Sequence, residues 1–205
     1  MASRRPAISR RTVQRRVAAL TGLTVQLRVE LRDVTPTVWR RILVPEQVTL
    51  AKLHGILQAA MGWTNSHLHE YEIARRRYGI PDEEWPGSEP LIDERRVRLK
   101  SLIEAGTQRF TYTYDFGDGW EHRIVVEDLV MPRSSATQSV LCLAGENACP
   151  PEDVGGSPGY AEFRAAIADP HHEEHDAMIS WIGGSFDPAA FNLDDTNQCL
   201  KSIKA

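Results

Sequence analysis

The sequence predicts an α+β fold: a mixed, mainly antiparallel sheet in a β-grasp-like order of two strands, a helix and further strands, covered by C-terminal helices. Three observations predict it. Apolar residues alternate with polar ones at Val25, Leu27, Val29 and Leu31, a helix-spaced apolar run follows a second strand, and beyond Met131 the chain turns to loops and then helical signals.

The first strand has one wet face, built from Gln26, Arg28, Glu30 and Arg32. Asp33 to Thr37, with Pro36, reads as a turn, and Val38 to Val44 returns as an antiparallel partner ending at Pro45. Thr49 then caps a helix whose apolar positions Leu50, Leu53, Ile56, Leu57, Ala60 and Met61 recur at helical spacing, with Gly62 as the stop. A third strand is expected over His67 to Ala74. Pro81 to Glu94 reads as an acidic surface excursion, Val97 to Leu99 as a short strand, and Ser101 to Ala105 as a turn of helix.

Phe110 to Phe116 and Trp120 to Asp128 form the most legible hairpin. A three-residue loop at Gly117 to Gly119 keeps aromatics with apolar residues, pairing Tyr114 with His122, Tyr112 with Ile124 and Phe110 with Val126. That register turns His122 inward and leaves Asp115, Glu121, Thr113 and Arg123 on the other face. Ser157-Pro158, His171 and Asp187-Pro188 mark three helix starts, the second helix ending at Gly183-Gly184. The expected organisation is a basic N-terminal arm, flexible or helical, over residues 1–22 and one α+β domain over 23–205, helical from about 157.

Composition narrows the function classes. At 205 residues, 41% hydrophobic and 25% charged, the chain can bury one sizeable core. No run approaches the roughly 18 apolar residues of a membrane span, and three cysteines make an odd count that fits a reducing cytoplasm. Six arginines (Arg4, Arg5, Arg10, Arg11, Arg15 and Arg16) stand in residues 1–20 without an acid, so they are candidate nucleic-acid contacts. The remainder of the chain is acidic and would be repelled by the same polymer. A solvated terminal helix is the plainer account of the arm.

Several motifs in order carry a family resemblance. They are Pro36-Thr-Val-Trp39-Arg40; Thr49-Leu50 with Leu53-His54, Gln58, Gly62-Trp63 and His67-Leu-His69; and Tyr112-Thr-Tyr-Asp-Phe-Gly-Asp-Gly-Trp-Glu-His122. Cys142, Gly145, Pro150-Pro-Glu-Asp153, Gly155-Gly156, Gly159-Tyr160 and Phe186-Asp-Pro188 continue them. From about residue 23 to 191 the chain resembles the plasmid pRiA4b ORF-3-like family. The resemblance implies a protein associated with plasmids and mobile elements; some members carry the label of a resolvase-like passenger protein of an insertion sequence. It brings no catalytic residues with it. Resolvase chemistry needs an activated serine or tyrosine and arginines clamping the phosphate, and the strand that bears such a serine is missing here.

Two short motifs dissolve on inspection. Asp115-Phe116-Gly117 spells a kinase metal motif without a phosphate loop, and His171-His-Glu-Glu-His175 fits an inverted zinc-peptidase pattern with only 30 residues left for a distant ligand. Of greater interest are His67 and His69, placed by a strand on one face with Tyr71 and Ile73, and joined by the inward His122. With Asp118, Glu152 or Asp153 from loops, they form a candidate site for a divalent transition metal or a polar ligand. The alternative is a histidine satisfied by a tyrosine hydroxyl or a carbonyl. Pro150 to Gly156 either presents amides and carboxylates to a ligand or serves as a rigid turn. Trp39, Trp63 and Trp120 fit a core better than a base-stacking platform. Two functions follow: a noncatalytic binding or accessory protein, or a metal-dependent hydrolase or nuclease using His67, His69 and His122.

Overall fold

In the computed structural model, which describes residues 23–81, 91–130 and 140–203, β1 (Thr24–Leu31) and β2 (Trp39–Pro45) pair antiparallel as the alternation requires. Val25, Leu27, Val29, Leu31, Ile42 and Val44 fall on one buried face. The opposite face is polar, with Arg41 bidentate to Glu127 and Arg123 bonded to Glu30. Helix α1 (Leu50–Met61) begins where Thr49 accepts a hydrogen bond from the Lys52 amide and ends at Gly62, whose φ of 97° only glycine adopts without strain.

Strands β3 (His69–Ile73), β4 (Arg76–Gly79), β5 (Ile92–Asp93), β6 (Arg109–Tyr114), β7 (Trp120–Val130) and β8 (Leu141–Glu146) complete an eight-stranded sheet of order β5-β4-β3-β6-β7-β1-β2-β8. Only the β4–β5 pair is parallel. Around it lie a 3₁₀ turn at Glu94–Arg96 and the helices α2 (Leu99–Glu104), α3 (Gly156–Ala168), α4 (His175–Ile182) and α5 (Leu193–Lys201). The fold is therefore α+β with a mostly antiparallel sheet. No described helix is long and apolar enough to cross a membrane.

The structure differs from expectation at several places, each with a local cause. The β6–β7 loop spans five residues, so Tyr114 faces Trp120, Tyr112 faces His122 and Phe110 faces Ile124. Slipping by two preserves side-chain parity, and His122 still points inward. His67 precedes β3 instead of lying in it. Glu94, read as part of a surface excursion, is 3% exposed because His69 takes its carboxylate inside. Val97 to Leu99 contributes only an isolated Thr49–Arg98 bridge before α2. Strand β4 and the edge strand β8 lacked a legible alternation; Leu141 and Leu143 stay exposed on β8 where polar residues would have marked the outer face.

Helix starts shift for capping reasons. Asp169 holds His171 and His172 in a turn, so α4 begins at His175 and His171 is not on the helix with it. Asp187-Pro188 forms only a turn, while Asn192 accepts from the amides of Asp194 and Asp195 and starts α5.

Candidate metal centre

The turn after β6 is shaped by Asp115. Its φ is 55°, a left-handed conformation that aspartate tolerates better than most residues because its short side chain can bond locally; here Oδ1 accepts from the Gly117 amide at 2.9 Å. The Asp115 amide donates to the Leu68 carbonyl, also at 2.9 Å, and the residue is only 6% exposed. This geometry draws Asp115 off the solvent face that strict alternation gives it. Its Oδ2 stands 3.7 Å from His67 Nε2.

A second acid arrives from the segment between β8 and α3. The Trp63 indole donates to the Pro150 carbonyl, and Glu152 Oε1 accepts from the Thr64 amide at 2.8 Å and the Thr64 hydroxyl at 3.0 Å. The Tyr114 hydroxyl donates toward both Glu152 oxygens at 3.2 Å. Asp153, again left-handed with φ 58°, brings Oδ1 to 3.1 Å from His67 Nε2. Asp118 fixes the segment from the hairpin side by accepting from the Gly155 amide at 3.2 Å. A β-carbon on Gly156 would stand 2.5 Å from the Asp118 carbonyl oxygen, so glycine is what lets the two loops meet.

His67 Nε2 is shielded from solvent yet makes no hydrogen bond, although Asp153 Oδ1 and Asp115 Oδ2 stand 3.1 Å and 3.7 Å away. Among the described residues, His67, Asp115 and Asp153 are the group whose candidate ligand atoms lie within 4.8 Å of one another. Two metal–ligand bonds of about 2 Å each allow donor separations up to about 4 Å, which the two His67 distances satisfy. One imidazole and two carboxylates from three chain segments suit a divalent transition ion and leave positions open.

The other histidines do not join this group. His69, the first residue of β3, faces inward, where its Nε2 is 2.8 Å from Glu94 and its ring stacks on His54 at 3.5 Å and 3°. His54 completes a closed circuit: Nε2 bonds Asn65 Oδ1 at 2.5 Å, Nδ1 is 2.7 Å from the Tyr112 hydroxyl, and that hydroxyl accepts from Gln58. Oδ1 of Asn65 can only accept, so Nε2 carries the proton and Nδ1 accepts from Tyr112. Burial first, and the neighbouring His69 second, push the His54 pKa down to about 4. His122 is fully buried on β7, donating through Nδ1 to the Tyr112 carbonyl at 3.2 Å, and burial likewise holds it down to about 4. The expected His67–His69–His122 cluster is thus replaced by three separate environments. The cause is where β3 begins: the strand places His69 inside and leaves His67 in the preceding loop.

Of the remaining candidates, Glu152 and Asp153 lie at the His67 group, and Asp118 braces it. The six arm arginines fall outside the described residues. Trp63 and Trp120 are core residues, as the sequence suggested, whereas Trp39 lies on the polar sheet face with the Arg28 guanidinium 4.2 Å from its ring. Sequence reasoning missed Asp115 and His54. Asp-x-Gly is an Asx-turn signal that could have flagged the first, and the helical spacing of His54 with Leu50 and Leu57 the second.

An eight-stranded, mostly antiparallel sheet with helices about it defines an α+β protein, and comparison identifies its family. The pattern of plasmid pRiA4b ORF-3-like proteins matches residues 23–195, and the chain belongs to that family. Uncharacterized protein y4hQ of Sinorhizobium fredii (strain NBRC 101917 / NGR234) is 48% identical over 188 residues, covering 91% of this chain and 95% of that protein. The crystal structure of MM3350, a protein of unknown function from Methanosarcina mazei Go1, superposes with a TM-score of 0.77. It is 34% identical and covers 86% of this chain and 98% of its own.

Proposed function

We propose that this plasmid-associated family protein is a metal-dependent binding protein that holds a divalent transition ion on His67, Asp115 and Asp153 and presents its open positions to a ligand. The observation that carries the reading is the buried, unbonded Nε2 of His67 within 3.1 Å of Asp153 and 3.7 Å of Asp115. A buried polar atom without a partner costs stability unless something occupies its lone pair, and a cation between these groups would do so. What sets His67 Nε2 apart from the other buried unpartnered atoms, Trp120 Nε1, His122 Nε2 and Arg164 Nε, is the pair of carboxylates grouped with it.

A hydrolase is the second reading, favoured by open coordination positions beside Glu152, whose Oε2 is 3.9 Å from His67 Nε2. Glu152 already accepts hydrogen bonds from the amide and hydroxyl of Thr64 and from the Tyr114 hydroxyl, so its oxygens are engaged in joining the loops. Binding is therefore the better supported function. The protein is taken as cytoplasmic, in keeping with three free cysteines.

Calorimetric titration of metal-stripped protein with Mn²⁺ and Zn²⁺ tests this. One site per chain is expected, with affinity reduced at least tenfold in His67→Ala and Asp153→Asn and unchanged in His69→Gln. Equal affinity in the wild type and His67→Ala would refute it.

A further inference from the structure

We infer that a cavity between the end of α1 and the start of α5 binds a small monocarboxylate with an apolar body, its charge drawn to Arg40. The cavity, of about 280 Å³, shares no lining residue with the His67 group. Arg40 lines it and is only 4% exposed. Four of the five guanidinium N–H groups donate to backbone carbonyls: Nε to Ala60, Nη1 to Trp39 and Glu146, and Nη2 to Asn147. The fifth, on Nη2, has no acceptor among the described residues. No described carboxylate is paired with Arg40 either. Carbonyl dipoles solvate a buried cation but leave its charge whole, and buried charges are ordinarily paired. Burial accordingly pushes the Arg40 pKa down, and the groups opposing it are the thiols of Cys149 and Cys142, not a carboxylate.

The surroundings hold this cation in place. The Phe191 ring lies 4.4 Å from the guanidinium, and a β-carbon on Gly145 would come within 2.8 Å of both that ring and the Arg40 side chain, so glycine leaves room for the two. A carboxylate matches the edge of a guanidinium and would supply the missing charge. Ala60, Met61, Ala148, Ala190 and Phe191 give the rest of the wall an apolar character that suits a hydrocarbon body. The ligand is small, since sites for drug-sized molecules run from roughly 300 to 1,000 Å³. Asp195 is the other charged residue of the lining, and it is exposed. Its carboxylate opposes a second negative charge, which favours a monocarboxylate over a dicarboxylate.

Nuclear magnetic resonance of the isotope-labelled full chain at pH 7 tests the site with benzoate and benzamide, which share a shape and differ in charge. Saturable shifts are expected at the Ala148, Cys149 and Phe191 amides with benzoate, and benzamide should need a concentration at least tenfold higher. Two substitutions at exposed positions leave Arg40 and the core untouched. Ala190→Leu takes up cavity space and should weaken benzoate at least threefold, whereas Asp195→Asn removes the opposing charge and should tighten it at least twofold. Benzamide binding as tightly as benzoate would overturn the role of Arg40 as the attracting charge. No saturable shift at the three amides, or benzoate affinity unmoved by Ala190→Leu, would overturn the site itself, and affinity unmoved by Asp195→Asn would overturn the preference for a single charge.

Discussion

Asp115 and Asp153 both hold left-handed backbone conformations, and both aim carboxylates at His67. Such residues persist where the surroundings over-determine them, and here they do so at one point in space. Gly156 makes that convergence possible. Gly156→Ala adds a β-carbon 2.5 Å from a backbone oxygen at a φ of 68°, and the expected loss is about 2 kcal/mol. Urea denaturation of the two forms measures it; an unchanged midpoint would mean the two loops do not meet as described. The histidines give a prediction of opposite character. His54 and His122 both have pKa values lowered to about 4 from an ordinary 6.5, so the unfolded chain binds their protons first. Stability is full above about pH 6.5 and falls as pH drops toward 4, each group contributing about 3 kcal/mol at most. His122→Phe should flatten that slope by about one proton between pH 6.5 and 4, whatever it does to stability at pH 7. An identical slope would contradict the burial of His122 as neutral imidazole.

At the scale of elements, Arg40 shows how few residues can tie several together. Its guanidinium donates to the carbonyls of Ala60 at the end of α1, Trp39 on β2, and Glu146 and Asn147 at the end of β8, with the Phe191 ring 4.4 Å away. A planar fork of five donors matches this arrangement and an ammonium does not. Arg40→Lys should therefore cost about 2–4 kcal/mol by leaving buried carbonyls unpaired, read from the denaturation midpoint; a loss below about 0.5 kcal/mol would show that water reaches them. Strands with one wet face and helices with clear caps were legible in the sequence: β1, β2, α1 and the β6–β7 hairpin follow from alternation and from Thr49 and Gly62. Strand β8 was not, because an edge strand bearing Leu141 and Leu143 outward has no alternation to read. Two of the three proposed ligands, His67 and Asp153, stood out by type, with Glu152 beside them, but their assembly with Asp115 depends on where β3 begins and on a five-residue turn, and hydrophobic period fixes neither.

Over the whole molecule, charge separates two ends of the problem. Residues 1–20 hold six arginines and no acid, while the remainder carries 18 basic against 28 acidic residues. If the protein meets nucleic acid, the arm does it, and affinity should fall with log salt at a slope of up to about −5, six contacts at about −0.9 each. Removal of residues 1–22 should abolish that binding; salt-insensitive binding by the shortened chain would contradict it. The proposed metal centre would draw its ligands from the α1–β3 loop, the β6–β7 turn and the segment leading to α3, so that ion binding would bridge sheet and C-terminal helices. Anomalous diffraction from a crystal grown with Mn²⁺ or Zn²⁺ tests that claim most directly. The account predicts one peak about 2.0–2.3 Å from His67 Nε2, Asp115 Oδ2 and Asp153 Oδ1; a peak elsewhere, or no peak at saturating ion, would contradict it.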